Sequence, residues 1–335
     1  MDYYFLDQVS WEHSQAIYHA AAYLQREALF ILRPATPYVC IGCHQNARLV
    51  IDLEYTEEQG IPVFRREVGG GAVFLDGNQL FYQLVLRSDH PQVPPKKADF
   101  YRKYLEPVVQ TYRAFGVDAV YKPVNDILYQ HQKISGNGAA EINDMVILVG
   151  NFILDFDYQT MSQCLRVPDE KFRDKVYKTL QENLTTIKHV TGKIPDTELI
   201  AEDLIGRYIP LLGSHPIQYQ ADDQLLAKAD EIFARMHTDD WLFENDNRIA
   251  EESVKIREGV YVIQQAYKAP GGLIQVSAVK EDGILRDVHL SGDFFFYPAE
   301  DLVGLEDALE NLPADQEVIR EAIQEYYLEY NIESP

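Results

Sequence analysis

The sequence predicts an α+β protein of two domains, and three observations predict it. At 335 residues the chain exceeds the usual single domain, so two hydrophobic cores are expected. The stretch Ile61–Leu86, IPVFRREVGGGAVFLDGNQLFYQLVL, is β-type: Val and Phe are frequent, Asp76-Gly77 is a hairpin-type turn, and Gln79–Leu86 alternates polar and apolar residues. From about Ser253 the composition changes to alternating segments, VKIREGVYVIQQAY, GLIQVSAVK, ILRDVHLSG and DFFFYP, separated by Pro-Gly-Gly and Asp282-Gly283, the pattern of an antiparallel meander. A linker is expected over Asp240–Glu252, where acidic and Asn residues cluster, dividing the chain into domains over 1–245 and 253–335.

Element by element, Ser10–Leu24 carries Ile17, Ala20, Ala21 and Leu24 at helical spacing, with Ser10 suited to the N-cap. Leu29–Leu32 and Tyr38–Ile41 are short apolar runs that read as strands, and Asp52–Gln59 as a short helix stopped by Gly60. Ile61–Val68 and Ala72–Leu75 are expected strands on either side of the glycines. Ser88–Lys97, with three prolines, is a loop, and Asp99–Phe115 an amphipathic helix with Gly116 as its stop. Val117–Tyr121 returns as a strand. Asn125–Ala140, NDILYQHQKISGNGAA, reads as a hairpin that opposes Ile127-Leu128-Tyr129 to Lys133-Ile134-Ser135. Its Ser-Gly-Asn-Gly tail is expected to let the chain approach a ligand before a long strand, Met145–Phe156. Helices are expected at Tyr158–Leu165, Asp169–Gln181, Asp196–Leu212, Ala299–Asn311 and Asp315–Tyr330, and helix formers fill Ser214–Asp240.

A net charge of −23 argues against nonspecific nucleic-acid binding and against attachment to an anionic membrane, since both need basic surface. The apolar runs are far below membrane-spanning length and the N-terminus lacks the basic stretch of a secretory signal, so a cytoplasmic protein is expected. Lys96, Lys97, Arg102, Lys103 and Lys122 form either a local basic patch or a solvated helix face. Three cysteines are too few for a disulfide framework. Cys40-x-x-Cys43 lies in a strand rather than at a helix start and lacks the second pair of a zinc site, so its thiols are read as structural, and so is Cys164 in its helix.

The chemistry is expected at the glycines. Without Cβ atoms, Gly69-Gly70-Gly71 can take positive φ and let an anionic group lie against main-chain N–H donors. The Lys-Ser/Thr of a P-loop is missing, and Ala72-Val73-Phe74 continues as strand, which excludes both that motif and a Rossmann turn. A glycine-rich bulge that merely bends the sheet stands as the alternative, while Arg65 and Arg66 favour a phosphate or carboxylate partner.

Arg65-Arg66-x-x-Gly69-Gly70-Gly71-Ala72-Val73 resembles the arginine and glycine signature of the lipoate-protein ligase A family. Asn125-Asp126 followed by Lys133-Ile134-Ser135-Gly136 resembles its second motif, and Ile41-Gly42-x-x-Gln45-Asn46 an upstream one. Lys268-x-Pro270-Gly271-Gly272-Leu273 and Ser291-Gly292-Asp293-Phe294-Phe295-x-x-Pro298 resemble signatures of the family's accessory domain, which is needed there for activating free acid and changes orientation between half-reactions. The chain departs from the family at Val68, where Ser or Thr is usual, and at Leu75-Asp76, where His-Asp is usual; both changes remove a side-chain hydrogen-bond partner.

The resemblance implies a large mixed-sheet catalytic domain of the biotin/lipoate ligase type with a smaller α+β accessory domain. It implies that free lipoate is activated with ATP to lipoyl-AMP and the lipoyl group passed to a lysine of an acceptor domain. Carried over residue by residue, Arg66, Gly69, Gly70, Gly71, Ala72, Val73, Phe74, Asp76, Asn125, Asp126, Ser135 and Gly136 bind substrate or ATP. Lys133 bridges the acid carbonyl and the α-phosphate, and Asp126 is the candidate ligand for Mg²⁺. Val73, Phe74, Phe81 and Val149 are candidates for an apolar tunnel around the dithiolane tail. Implied partners are lipoyl domains of oxo-acid dehydrogenase acyltransferase subunits, the glycine-cleavage H protein or another lipoyl carrier, with no nucleic acid and no membrane. An octanoyl- or lipoyl-transferase working through a cysteine, a biotin-protein ligase and a non-catalytic lipoate-binding relative are the rival readings.

Overall fold

The computed structural model describes residues 1–246, 255–257 and 260–334. The chain parts into two compact units. One gathers Met1–Cys40, Ile51–Phe64 and Val73–Thr238; the other gathers Ile41–Val50, Arg65–Ala72 and Asp239–Pro335. Of the expected linker, the part up to residue 246 includes a short helix, Asp239–Leu242, and residues 247–252 lie outside the described residues.

The first unit is organised by a six-stranded mixed sheet in the order Asn137–Ile142, Met145–Ile153, Gln79–Arg87, Ala28–Pro34, Asp2–Val9, Ile217–Gln218. Asp2–Val9 runs parallel to both of its neighbours, and the other pairs are antiparallel. On one face Leu80, Tyr82, Leu84 and Leu86 pack with Leu148 and Phe152 into a core. Tyr101, Leu105, Val108 and Tyr112 of helix Lys97–Ala114 and Leu204 and Tyr208 of helix Thr197–Leu212 cover it. Alternation sends the next residues of each strand to the other face, where helix Trp11–Tyr23 packs and Gln83 Nε2 donates to the Ser14 carbonyl at 2.7 Å.

Helix starts follow the capping side chains. Ser10, Asp52, Asp157, Asp169, Asp196 and Asp222 each accept a backbone N–H from the first turn they precede. The expected hairpin is present, with Asp126–Tyr129 paired to Gln132–Ser135 and Ala119–Lys122 added beside it.

Two expectations change, and two strands were not expected. Strand Asp2–Val9 carries Asp7 and Gln8 within it, and its register shifts at Asp7, where φ is +48°, so no clean alternation shows. Only Val63–Arg65 of Ile61–Val68 is strand, because from Arg66 the backbone turns against Ile41–Cys43. Asn137-Gly138 begins an edge strand in which Asn137 pairs with Gly150. In the second unit the last strand ends at Asp293, so Phe294–Phe296 are not strand.

That second unit is an antiparallel sheet of Lys255–Arg257, Val260–Ala269, Gly272–Glu281 and Ile284–Asp293, with helices Asp301–Leu309 and Gln316–Tyr330. Phe294 and Phe296 join Ala278, Leu285, Val288, Leu302, Leu305 and Leu309 in its core. No helix among the described residues is long and apolar enough to cross a membrane.

Candidate active site

The expected site residues fall into two groups, one in each unit. In the second unit, Arg65–Ala72 lies against Ile41–Val50: Arg66 N donates to Ile41 O at 3.1 Å and Cys43 N to Val68 O at 3.2 Å. The approach is too close for a side chain at Gly42, where a Cβ would sit 2.0 Å from the Gly70 carbonyl oxygen. Gly70 itself has φ +94°, a conformation that favours glycine. Val68 is fully buried, so the position where the family has a hydroxyl faces the interior here.

The two arginines divide their work. Arg65 is buried and its guanidinium is turned to backbone carbonyls, donating to Trp241 and Leu242 on one side and to Gly42 and Cys43 on the other. Arg66 closes the glycine loop on itself, its Nη2 donating to Gly69 O at 2.8 Å and Gly71 O at 3.0 Å. Its charge therefore lies at the loop that anion binding requires.

The loop is also met by the signature Ser291–Pro298. Gly70 N donates to Phe294 O at 3.3 Å, Phe295 lies over Gly69 and Gly70, and a Cβ at Gly71 would be 3.0 Å from Asp293 Oδ2. Sequence reasoning assigned no site role to Asp293, Phe295 or His44, although the first two stand in a quoted motif. His44 stacks on Phe294 at 5.0 Å. Burial first, and then the Arg65 charge, lowers its pKa to about 4, which keeps the imidazole neutral at neutral pH.

In the first unit the lysine hairpin presents its cation on a fixed frame. Lys133 keeps 39% of its side chain exposed and pairs with Asp126 at 3.0 Å. Its neighbours are locked: Tyr112 Oη donates to Ile134 O at 2.5 Å, Ser135 Oγ to Asn151 O at 2.6 Å, and Gly136 N to Asn151 Oδ1 at 2.8 Å. Asn125 and Asn137 donate to each other's carbonyls at 2.6 and 2.8 Å, and Tyr82 Oη donates to Asn137 Oδ1. Asn125 and Ser135 thus hold the frame, while Lys133 and Asp126 retain access to solvent. Burial pushes the Tyr82 hydroxyl's pKa well up, beyond use as a proton carrier at neutral pH, so its hydroxyl is a fixed donor.

Val73 and Phe74 continue from the glycines in strand Val73–Leu75, paired with Cys40 and Val39. Phe74 is buried. Asp76 belongs to the turn: its carboxylate accepts both Asn78 N and Asn78 Nδ2 at 2.9 Å, and burial raises its pKa. Phe81 and Val149 are paired with Asn151 and Gln83 and share the sheet face turned toward helix Trp11–Tyr23, away from the main core. The basic residues near Lys97 are engaged locally: Lys97 with Glu141, Arg102 with Asp99 at 3.4 Å, and Lys103 with Gln92 O at 2.6 Å.

Burial pushes the Cys43 and Cys164 thiols up to about 12, the arginines pulling Cys43 and Arg173 pulling Cys164 only partly back. Neither is an activated nucleophile. Among the described residues no group of three or more His, Cys, Asp or Glu could hold a metal ion. Asp126 offers one carboxylate already paired with Lys133, which fits a cation delivered by a nucleotide's phosphates better than a cage built by the protein.

Residues 7–208 match the lipoyl protein ligase A/B catalytic domain, and residues 260–334 the bacterial lipoate protein ligase C-terminus. Lipoate-protein ligase 1 of Staphylococcus aureus is 24% identical over 90% of this chain and 86% of its own length. Lipoate-protein ligase A subunit 1 of Thermoplasma acidophilum is 32% identical over 54% of this chain and 71% of its own. A solved chain of the bipartite lipoate protein ligase system from Thermoplasma acidophilum superposes with a TM-score of 0.63 at 26% identity, covering 76% of this chain and 100% of that one.

Proposed function

Because the chain belongs to the lipoyl protein ligase A/B family and carries that family's C-terminal accessory domain, we propose that it is an ATP-dependent lipoate-protein ligase. A lipoate carboxylate oxygen attacks the α-phosphorus of ATP. The bond to the β-phosphate breaks, and pyrophosphate leaves with the electron pair. The ε-amine of an acceptor-domain lysine then attacks the acyl carbon of lipoyl-AMP, loses its proton and expels AMP. Arg66 and the N–H groups of Gly69–Val73 meet the charge that redistributes on the phosphate. Lys133 bridges the acid carbonyl and the α-phosphate, a point-charge role suited to an ammonium. Mg²⁺ accompanies the nucleotide, with Asp126 the carboxylate at hand, and neutralises phosphate charge when bound. Acceptors are lipoyl domains of oxo-acid dehydrogenases, the H protein or another carrier.

The observation that carries this reading is the half-exposed Lys133 held by buried neighbours within the family's second motif, on a chain that also has the accessory domain. Pyrophosphate release is expected to require lipoate and ATP together. Its absence from intact protein, with lipoate or octanoate, would overturn the ligase reading. Cysteine chemistry plays no part in it. Cys164→Ser puts a hydroxyl in a fully buried position, so a loss of about 1 kcal/mol in stability is expected with lipoyl transfer retained. Abolished transfer in folded Cys164→Ser protein would favour the transferase instead.

A further inference from the structure

A relay of two buried amides joins the strand that leaves the glycines to the hairpin that carries Lys133. The Gly136 N–H donates to Asn151 Oδ1 at 2.8 Å, Asn151 Nδ2 donates to Gln79 Oε1 at 2.7 Å, and Gln79 Nε2 donates to the Phe74 carbonyl at 2.9 Å. Gln79 is 1% and Asn151 9% exposed. The orientation of both amides follows from the ends of the relay. A backbone N–H at one end demands an oxygen, a backbone carbonyl at the other demands an N–H₂, and each amide supplies one of each. No other arrangement satisfies all three bonds.

From this geometry we propose that Asn151 and Gln79 are positioning residues. They set the spacing between Val73–Leu75 and the Lys133 hairpin, and through it the rate of acyl-adenylate formation. The proposal rests on the ligase reading for its effect on rate. Two backbone segments of the same catalytic unit, one continuing from the phosphate-binding glycines and one presenting the cation, are connected by side chains of two central strands, Gln79–Arg87 and Met145–Ile153. Ser135 Oγ, donating to Asn151 O, fixes the same strand from its backbone side. A shift of about 1 Å in a reacting group costs about a hundredfold in rate, so a relay that holds this spacing acts on turnover without touching substrate.

Two variants break different links. Asn151→Leu removes the central amide, and Gln79→Met removes the connection to Phe74. Each is expected to lower the kcat of lipoate-dependent pyrophosphate release by about 30- to 100-fold with KM values changed less than about threefold. The double variant should be little worse than either alone. In a Lys133→Ala background Asn151→Leu should cost less than about threefold, because the group it positions is gone. A merely structural residue would cost the same factor in both backgrounds. Hydrogen exchange gives a readout independent of turnover: in either folded variant, exchange at residues 73–78 and 133–138 should rise together while that of Thr197–Leu212 holds. Unchanged exchange, or equal cost with and without Lys133, would overturn the positioning role. Wild-type protein that releases no pyrophosphate would instead overturn the ligase reading, leaving exchange to decide whether the relay couples the two segments.

Discussion

Lys133→Ala is expected to lower lipoate-dependent pyrophosphate release by on the order of a thousandfold while leaving the fold intact. The two halves of that expectation have separate causes. The side chain is partly exposed and its ion pair with Asp126 is exposed too, so removing it withdraws a contact worth about 0–1 kcal/mol. The hairpin does not depend on it, since Tyr112, Ser135 and Asn151 hold its neighbours. In the proposed reaction, by contrast, the carbonyl oxygen and the phosphate would lose the cation they share. Lys133→Arg should rescue little, because a planar guanidinium does not fit between two oxygens placed for an ammonium. The measurement is pyrophosphate release for the three proteins, with thermal melting as the control. Alanine rates within about threefold of wild type would make Lys133 an ordinary surface lysine, since an effect of about 0.7 kcal/mol is no larger than a surface pair.

Why some of this was legible from sequence and some was not has a physical basis. The lysine hairpin showed because Ile127 and Ile134 are buried on alternating strands joined by a tight turn, a pattern local to about ten residues. Helix starts showed because an N-cap side chain bonds to an N–H only two or three residues away. Strand Asp2–Val9 did not show, since its parallel partners lie across helix Trp11–Tyr23 on one side and near the end of the first unit on the other. The site divides the same way. The motifs single out Lys133 and the glycines as candidates, but Gln79 and Asn151 read as ordinary polar positions in alternating strands. Only the fold brings the oxygen of one to the N–H₂ of the other. Likewise the paired arginines are adjacent in sequence, while the carbonyls that hold Arg65 lie 22, 23, 176 and 177 residues away.

That distinction yields the second large effect. Arg65→Met is expected to destabilise the protein by about 3–5 kcal/mol, the cost of removing one partner from a buried charged network. Arg65 is 1% exposed. Its Nε donates to Trp241 O at 3.0 Å and Leu242 O at 3.1 Å, its Nη2 to Leu242 O at 2.6 Å, and its Nη1 to Cys43 O at 2.8 Å and Gly42 O at 3.3 Å. The fully buried Asp246 carboxylate lies 3.9 Å from Nη2 and also accepts the N–H groups of Ala47 and Arg48 at 2.8 Å. Removal of the guanidinium takes a donor from each of these carbonyls and reduces the positive charge beside Asp246. Arg65→Lys keeps a charge but offers one ammonium where a five-donor fork reaches carbonyls on two sides, so about 2 kcal/mol should still be lost. Because Gly42 is packed against the Gly70 carbonyl, a loosened Gly42–Cys43 turn disturbs the glycine loop, and adenylation should fall as the folded fraction falls. Chemical unfolding of the three proteins, together with the KM for ATP at a temperature where each is folded, separates this from direct anion binding. Unchanged stability with a raised KM for ATP would place Arg65 on the phosphate beside Arg66. A large stability loss with an unchanged KM is the result its hydrogen bonds predict.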